Sequence, residues 1–376
     1  VSGTLVAVAP HPSAAPAATA PTDGPLARIG PNWFTAVMGT GIVANAAELL
    51  PHRTPALHDF AVVVWLAAAA LLAVLVVATA LHWVRYPAVA RGHLADPAMA
   101  PLYGAPPMAL LTVGAGSLLV GRDVLGPDAA VVVASVLWAA GTLGGVLCAA
   151  VVPYRLFTRV GFGAGGAPAT WLLPVVPPMV SAATGAALVP HVAAGQGREA
   201  LLLGLYALFG VSLLASLVTI ALVVLRLVAT GAGEALAVPS LFVVLGPLGQ
   251  SVTAANLLGA QAHGAIGAPY AGGLQALGVV YGAPVWGFAM LWLAIAAAVV
   301  LRAAREHLPF SLGWWSFTFP VGTVVTGTSV LARDAGLAPL SWVAVALFVL
   351  LVAAWATVAA RTVHGAARRG GLLRAA

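Results

Sequence analysis

The sequence predicts an all-α integral membrane protein, ten transmembrane helices paired as five helical hairpins, and three observations predict it. Of 376 residues, 61% are hydrophobic and only 7% charged, whereas soluble domains carry roughly 25% charged residues. Apolar runs of about 20 residues, each able to cross a hydrocarbon core of ~30 Å, recur along the chain. The runs also alternate between two compositions, an internal repeat hidden by length alone.

The apolar segments fall near residues 33–50, 60–84, 101–121, 129–152, 170–190, 198–228, 238–260, 272–301, 313–332 and 339–363. Even-numbered segments, such as FAVVVWLAAAALLAVLVVATALHWVR, are aliphatic all round and end in Arg. A helix of that kind faces lipid or neighbours on every side and lets its terminal Arg snorkel to the interface. Odd-numbered segments mix Gly, Pro, Ser, Thr and sometimes Asn or Gln into the span, as in PATWLLPVVPPMVSAATG and VPSLFVVLGPLGQSVTAANLLG. Proline strands a backbone carbonyl, and a membrane tolerates this where protein or a watery cavity re-satisfies the freed group. The odd segments therefore belong inside, kinked at Pro107, Pro177, Pro247 and Pro320. Small residues at helix interfaces also serve plain packing, so the reading of a polar-lined pore rests on the fivefold recurrence.

Arginine placement sets the orientation. The chain has 16 Arg and no Lys against 10 acidic residues. Twelve of the sixteen lie in the termini and in the loops joining an even segment to the next odd one; the opposite loops hold Arg53, Arg122, Arg198 and Arg333. By the positive-inside rule the termini and the Arg-rich loops are cytoplasmic, in a multi-pass protein of the plasma (inner) membrane. The basic balance is thus a topology signal, and no nucleic-acid partner is expected. Residues 1–27, rich in Ala, Pro, Ser and Thr, read as a disordered cytoplasmic tail, 28–364 as one ten-helix transporter domain, and 365–376 as a basic cytoplasmic tail.

The chemistry expected of enzymes is missing from the sequence. GTGIVA at Gly39 and GFGAGG at Gly161 approach the dinucleotide fingerprint, but neither follows a strand, and the first lies inside an apolar segment. With no HExxH, no GxSxG and no Walker lysine, neither cofactor, metal nor catalytic residue is expected. The single Cys148, in an apolar run, reads as inert packing.

Candidate pore-lining groups are Thr40 and Asn45 on the first segment, Ser181 on the fifth, Gln250, Ser251 and Asn256 on the seventh, and Thr318, Thr323 and Thr326 on the ninth. A pore lined by hydroxyls, amides and helix-end dipoles binds an ion weakly, which conduction requires. Gln250, beside Pro247, has two readings: it caps freed backbone or it touches substrate. Glu48, the nearest thing to an intramembrane carboxylate, is either a proton-coupling group or a solvated helix end near Arg53.

Three runs carry a family resemblance: WFTAVMGTGIVA at Trp33–Ala44, GPLGQS at Gly246–Ser251 and WWSFTFPVGT at Trp314–Thr323. Over residues 30–363 the chain resembles the tellurite-resistance and dicarboxylate transporter family. This family includes bacterial TehA proteins, fungal malate permeases, fungal sulfite efflux pumps and the slow anion channels of plant guard cells. The MGTGI pattern is closer to the malate and sulfite branch. The resemblance implies quasi-fivefold symmetry, a central pore enclosed by the odd helices, a homotrimer with one pore per protomer, and a small anionic substrate such as malate or sulfite. It also implies that Phe319, in TFP, occludes the pore, while Phe317 points elsewhere. A gated chloride or nitrate channel, and a non-conducting membrane binding or scaffolding protein, remain the alternatives. The topology makes a direct prediction: a reporter that works only in the cytoplasm is active when fused to the C-terminus, and a periplasmic reporter at the same place is silent.

Overall fold

The computed structural model describes residues 24–160, 166–367 and Leu372. All of the string GFGAGG at Gly161 except its last residue, Gly166, and most of both expected tails lie outside the described residues. Among those described there is no strand. In chain order the helices are α1 (Phe34–Leu49), α2 (Pro55–Arg85), α3 (Pro87–Ala95), α4 (Ala105–Leu119), α5 (Arg122–Leu125) and α6 (Pro127–Arg155). They continue with α7 (Pro177–Gly185), α8 (Gln196–Thr230), α9 (Leu245–Ala262), α10 (Tyr270–Arg305), α11 (Phe319–Ala335) and α12 (Ala338–Ala367). Pro25–Arg28 is a 3₁₀ turn with Ala27 buried.

Two populations of helix emerge, and burial separates them. Helices α2, α6, α8, α10 and α12 are long, and most of their exposed large apolar side chains are aliphatic, as at Val84 (77%), Leu214 (68%) and Val228 (81%). The short helices are buried nearly all round; over the most apolar 18-residue stretch, Ala235–Ala262 is 83% buried and Pro127–Thr158 only 17%. The short ones touch in a closed cycle, α1 to α4, α4 to α7, α7 to α9, α9 to α11 and α11 back to α1. Each long helix α2, α6, α8, α10 and α12 packs on the short helix before it in the chain. Apolar outer surface thus meets lipid, and the residues that would be costly there are turned inward.

Seven helices among the described residues are long and apolar enough to cross a membrane: the five long ones, and two inner segments counted with their leading 3₁₀ turns, Ala100–Leu119 and Ala235–Ala262. The segments near 33–50, 170–190 and 313–332 fall short of that standard. Their α-helices run 16, 9 and 17 residues. Each is continued by 3₁₀ structure, Pro31–Trp33 before α1, Ala169–Leu172 before α7 with Ala186–His191 after it, and Leu312–Phe317 before α11. Proline explains the break. Pro107, Pro177, Pro247 and Pro320, expected as kinks, sit instead in the first turns of α4, α7, α9 and α11. In a first turn the missing N–H has no intrahelical partner to lose. Proline there costs the inner α-helices no intrahelical hydrogen bond.

Glycine lets two of the inner helices meet backbone to backbone. A Cβ on Gly249 of α9 would stand 2.5 Å from backbone atoms of Thr323 and Val324 of α11, and one on Gly327 would stand 2.7 Å from the Gly249 carbonyl. Thr323 Oγ1 spans the same seam, donating to Leu245 O (3.2 Å) and Pro320 O (2.6 Å). Gly249→Ala should therefore cost about 1–3 kcal/mol by overpacking. Gly287, with open space at its Cβ, should gain up to about 1 kcal/mol on change to Ala, from helix propensity. Thermal unfolding in detergent checks both: the first variant unfolds at lower temperature than the parent, the second at equal or higher.

Candidate functional site: two cavities that meet at Phe319

The ring of short helices encloses two cavities. A proximal one of about 370 Å³ is bordered by Asn32 and Thr35 at the start of α1, by Met108 in the first turn of α4, by Val176 just ahead of α7, by Gly246 of α9, and by Phe319 and Pro320 of α11. A distal one of about 150 Å³ is lined by the middle and later turns of the same helices, including Asn45, Thr112, Thr184, Gln250 and Thr326. The five helices thus run in one direction, each with its N-terminal end at the proximal cavity. Phe319 lines both cavities, and only 2% of it is exposed. Phe317 lines neither; its ring packs edge-on against Phe242 (5.0 Å) and Trp314 (5.7 Å).

Among the described lining residues of the two cavities none is charged. The positive influence at the proximal cavity is the N-terminal partial charge of the inner helices, equivalent to roughly half a unit charge per helix. Such dipoles attract an anion without holding it as a buried Arg or Lys would.

Of the nine polar residues expected to line a pore, Asn45, Gln250 and Thr326 line the distal cavity. Asn45 Nδ2 donates to Thr112 O at 3.0 Å. Thr326 shares a 2.8 Å hydroxyl contact with Thr253. The other six border neither cavity. Thr40 Oγ1 accepts from Trp355 Nε1 (3.2 Å) and so ties α1 to α12. Ser181 and Ser251 donate to carbonyls of their own helices, Pro177 O and Leu248 O. Asn256 Nδ2 donates to Val252 O and across to Gly278 O of α10. Thr318 donates to Trp315 O, and Thr323 belongs to the α9–α11 seam.

Sequence reasoning passed over Thr112, Thr184, Thr253 and Gln261, all of which line the distal cavity. A signal for them existed. The cavity-facing residues of α9 are Gln250, Thr253, Leu257 and Gln261, and those of α1 are Ile42, Asn45 and Leu49. Steps of three and four mark one stripe of a helix. Extending the stripe from Gln250 reaches Thr253 and Gln261 and skips Ser251 and Asn256.

Glu48 stands at the distal end of α1, outside both linings. It is ion-paired with Arg53, and its other oxygen accepts from His58 Nδ1 at 2.9 Å. His58 Nε2 lies 2.6 Å from Asp123 Oδ2. This cluster fastens the end of α1 to the start of α2 and to α5. Thr54 caps α2 at the same place by accepting from Leu57 N (3.2 Å).

The comparison with known proteins places this architecture. Residues 28–363 match the family described as voltage-dependent anion channel. The chain belongs to that family. It is the tellurite-resistance and dicarboxylate transporter group that the motifs resemble. A sulfite efflux pump of Arthroderma otae is 28% identical over 340 residues, 89% of this chain and 90% of the relative. A second sulfite efflux pump, of Trichophyton rubrum, is 28% identical over 310 residues, 81% and 82% of the two chains. An uncharacterized transporter of Methanocaldococcus jannaschii is 25% identical over 336 residues, covering 89% and 92%. The chain is accordingly a multi-pass membrane protein for anion transport, with a small anion as its substrate and lipid as its surroundings.

The cavity assignment predicts chemical accessibility. In a Cys148→Ser background, Gln250→Cys and Thr326→Cys should react with a small water-soluble thiol reagent on the order of tenfold faster than Ser251→Cys and Asn256→Cys, because reaction follows access to the thiolate. Mass shifts over a time course provide the measurement.

Proposed function

We propose that this protein is a passive or proton-linked transporter of small oxyanions, sulfite first and C4-dicarboxylates such as malate second, through a pore along the axis of the inner helices. In this reading residues 28–364 form one ten-segment transmembrane unit of five quasi-equivalent hairpins. The three shorter inner segments cross together with their 3₁₀ extensions, inside an outer wall of long helices. The Arg-rich loops and both tails are cytoplasmic, the membrane is the plasma (inner) membrane, and three protomers associate, each with its own pore. The proximal cavity is then the cytoplasmic vestibule.

The observation that carries the reading is the position of Phe319 between two uncharged cavities. An aromatic side chain there is an apolar plug in a path that is otherwise roomy, and rotating it aside joins the two volumes without moving a helix. The fungal relatives are sulfite efflux pumps, which favours sulfite over malate. Weak, uncharged lining favours throughput, and on that ground alone a gated chloride or nitrate channel is the second reading.

Proteoliposome flux tests this. Phe319→Ala should raise basal anion flux about tenfold or more, the equivalent of at least ~1.4 kcal/mol off the barrier, with the protein folded and inserted. No rise would make Phe319 a packing residue. A panel of sulfite, malate, nitrate and chloride, with and without a pH gradient, separates the readings. Flux that collapses without the gradient indicates coupling and gives Glu48 a candidate proton role; flux indifferent to it leaves Glu48 as a clasp. No movement of any anion, even with Phe319 cut back, would defeat the transport reading.

A further inference from the structure

A slot of about 420 Å³ is bordered by α6, by α8 and by the segment that leads into α7. It opens on the outer surface: at its rim Phe157, Leu214 and Val218 are 68%, 68% and 63% exposed. No lining residue is charged, and the one hydroxyl among them, on Thr219, donates to Ala215 O of its own helix at 2.8 Å. A lining of this kind suits hydrocarbon. The segment ahead of α7 has two faces. Thr170, Leu173 and Val176 line the proximal cavity, whereas Trp171, Pro174 and Val175 line the slot. A single layer of backbone therefore parts the proximal cavity from the lipid side. Its own hydrogen bonds are short-range, Trp171 N to Pro168 O (3.0 Å), Leu173 N to Thr170 O (3.0 Å) and Val175 N to Leu172 O (3.1 Å). A layer held so locally owes its position to what packs on either side of it.

Arg226 stands one turn beyond Leu222, on the same stripe of α8. Three of the described arginines are half-buried. Arg155 donates to Leu94 O (3.4 Å), and Arg198 to Val192 O (2.8 Å) and Gly264 O (3.0 Å). Arg226 differs: among the described residues its buried Nε has no acceptor and no carboxylate pairs with it. Its stem lies against Gly166, where a Cβ would meet Arg226 Cγ at 3.1 Å, just ahead of the two-faced segment. Depth agrees with charge. Leu214 is near the middle of the 35-residue α8, and from there to Arg226 the helix rises about 18 Å. One leaflet of hydrocarbon is ~15 Å deep, so the guanidinium reaches headgroup level. A phosphate is the anion found there, and a guanidinium binds it well. We propose that the slot binds one anionic phospholipid, an acyl chain between α6 and α8 and the phosphate on Arg226, and that the bound lipid braces the wall of the proximal cavity.

Lipid binding here requires only a membrane-spanning chain, so its failure leaves the transport reading untouched. The test uses the whole protein in phosphatidylcholine nanodiscs, with a trace of phosphatidylglycerol carrying a photoreactive group on its acyl chain. Peptide mapping should place the label on residues 149–157 and 214–222, about fivefold more heavily than with matched photoreactive phosphatidylcholine. Arg226→Gln should abolish that preference, and Ala215→Trp, which fills the slot, should lower labelling by both lipids. Exchange of the backbone amides in 169–176 should slow several-fold when phosphatidylglycerol replaces phosphatidylcholine, in wild type and not in Arg226→Gln. If Ala215→Trp does not insert, Arg226→Gln alone decides, because it breaks no ion pair among the described residues. Equal labelling by the two lipids, label spread evenly over the outer helices, or a cross-link from the slot to a neighbouring copy overturns the site. Labelling at the slot with unchanged exchange overturns the brace.

Discussion

A peptide N–H or C=O left unpaired in hydrocarbon costs several kilocalories per mole, and water is absent to repair it. Nearly every choice in this fold answers to that rule. The long helices are uninterrupted over their apolar middles except α10, which carries Pro284 on its exposed face. The inner helices accept proline only in the first turn, where the donor is superfluous. Because the first turns gather around the proximal cavity, the place where proline is harmless is also the place where the positive ends of the inner helix dipoles converge.

Close approach follows from the same rule. Buried backbone that is already satisfied can pack directly on other backbone, provided no side chain intervenes. Gly249 and Gly327 supply that at the α9–α11 seam, and Gly278 does so between α9 and α10, where the Asn256 amide bonds its carbonyl. The ring is closed by such contacts, and most of its hydroxyls are bonded to backbone carbonyls within it.

Much of this was legible in the sequence. The two compositions of segment separated outer from inner helices correctly, because lipid-facing surface tolerates only aliphatic side chains while Gly, Pro and Asn must be covered. The position of Phe319 in TFP pointed to a residue that does border both cavities. The pore lining was less legible. Choosing polar residues on inner segments without regard to helix face gathered Thr40, Ser251 and Asn256, whose groups bond Trp355, Leu248 O and Gly278 O, and missed Thr112 and Thr253. Polarity says that a residue must face something other than lipid, and a partner helix satisfies that as well as a cavity. Only the three-and-four spacing tells the faces apart. The lengths of α1, α7 and α11 were not readable either, since 3₁₀ and α-helix share the same apolar pattern over a single turn.

The two cavities have Phe319 in common, and this bears on how a membrane potential would act. Where water fills the volumes on both sides, nearly all of the voltage falls across the dry layer between them. The cavity linings contain no charged side chain for that field to push, so the protein has little gating charge along its own axis. The work is done on the ion passing the ring, ~2.3 kcal/mol for each elementary charge per 100 mV. Current through such a pore would bend with voltage because the traveller feels the field, while the wall does not.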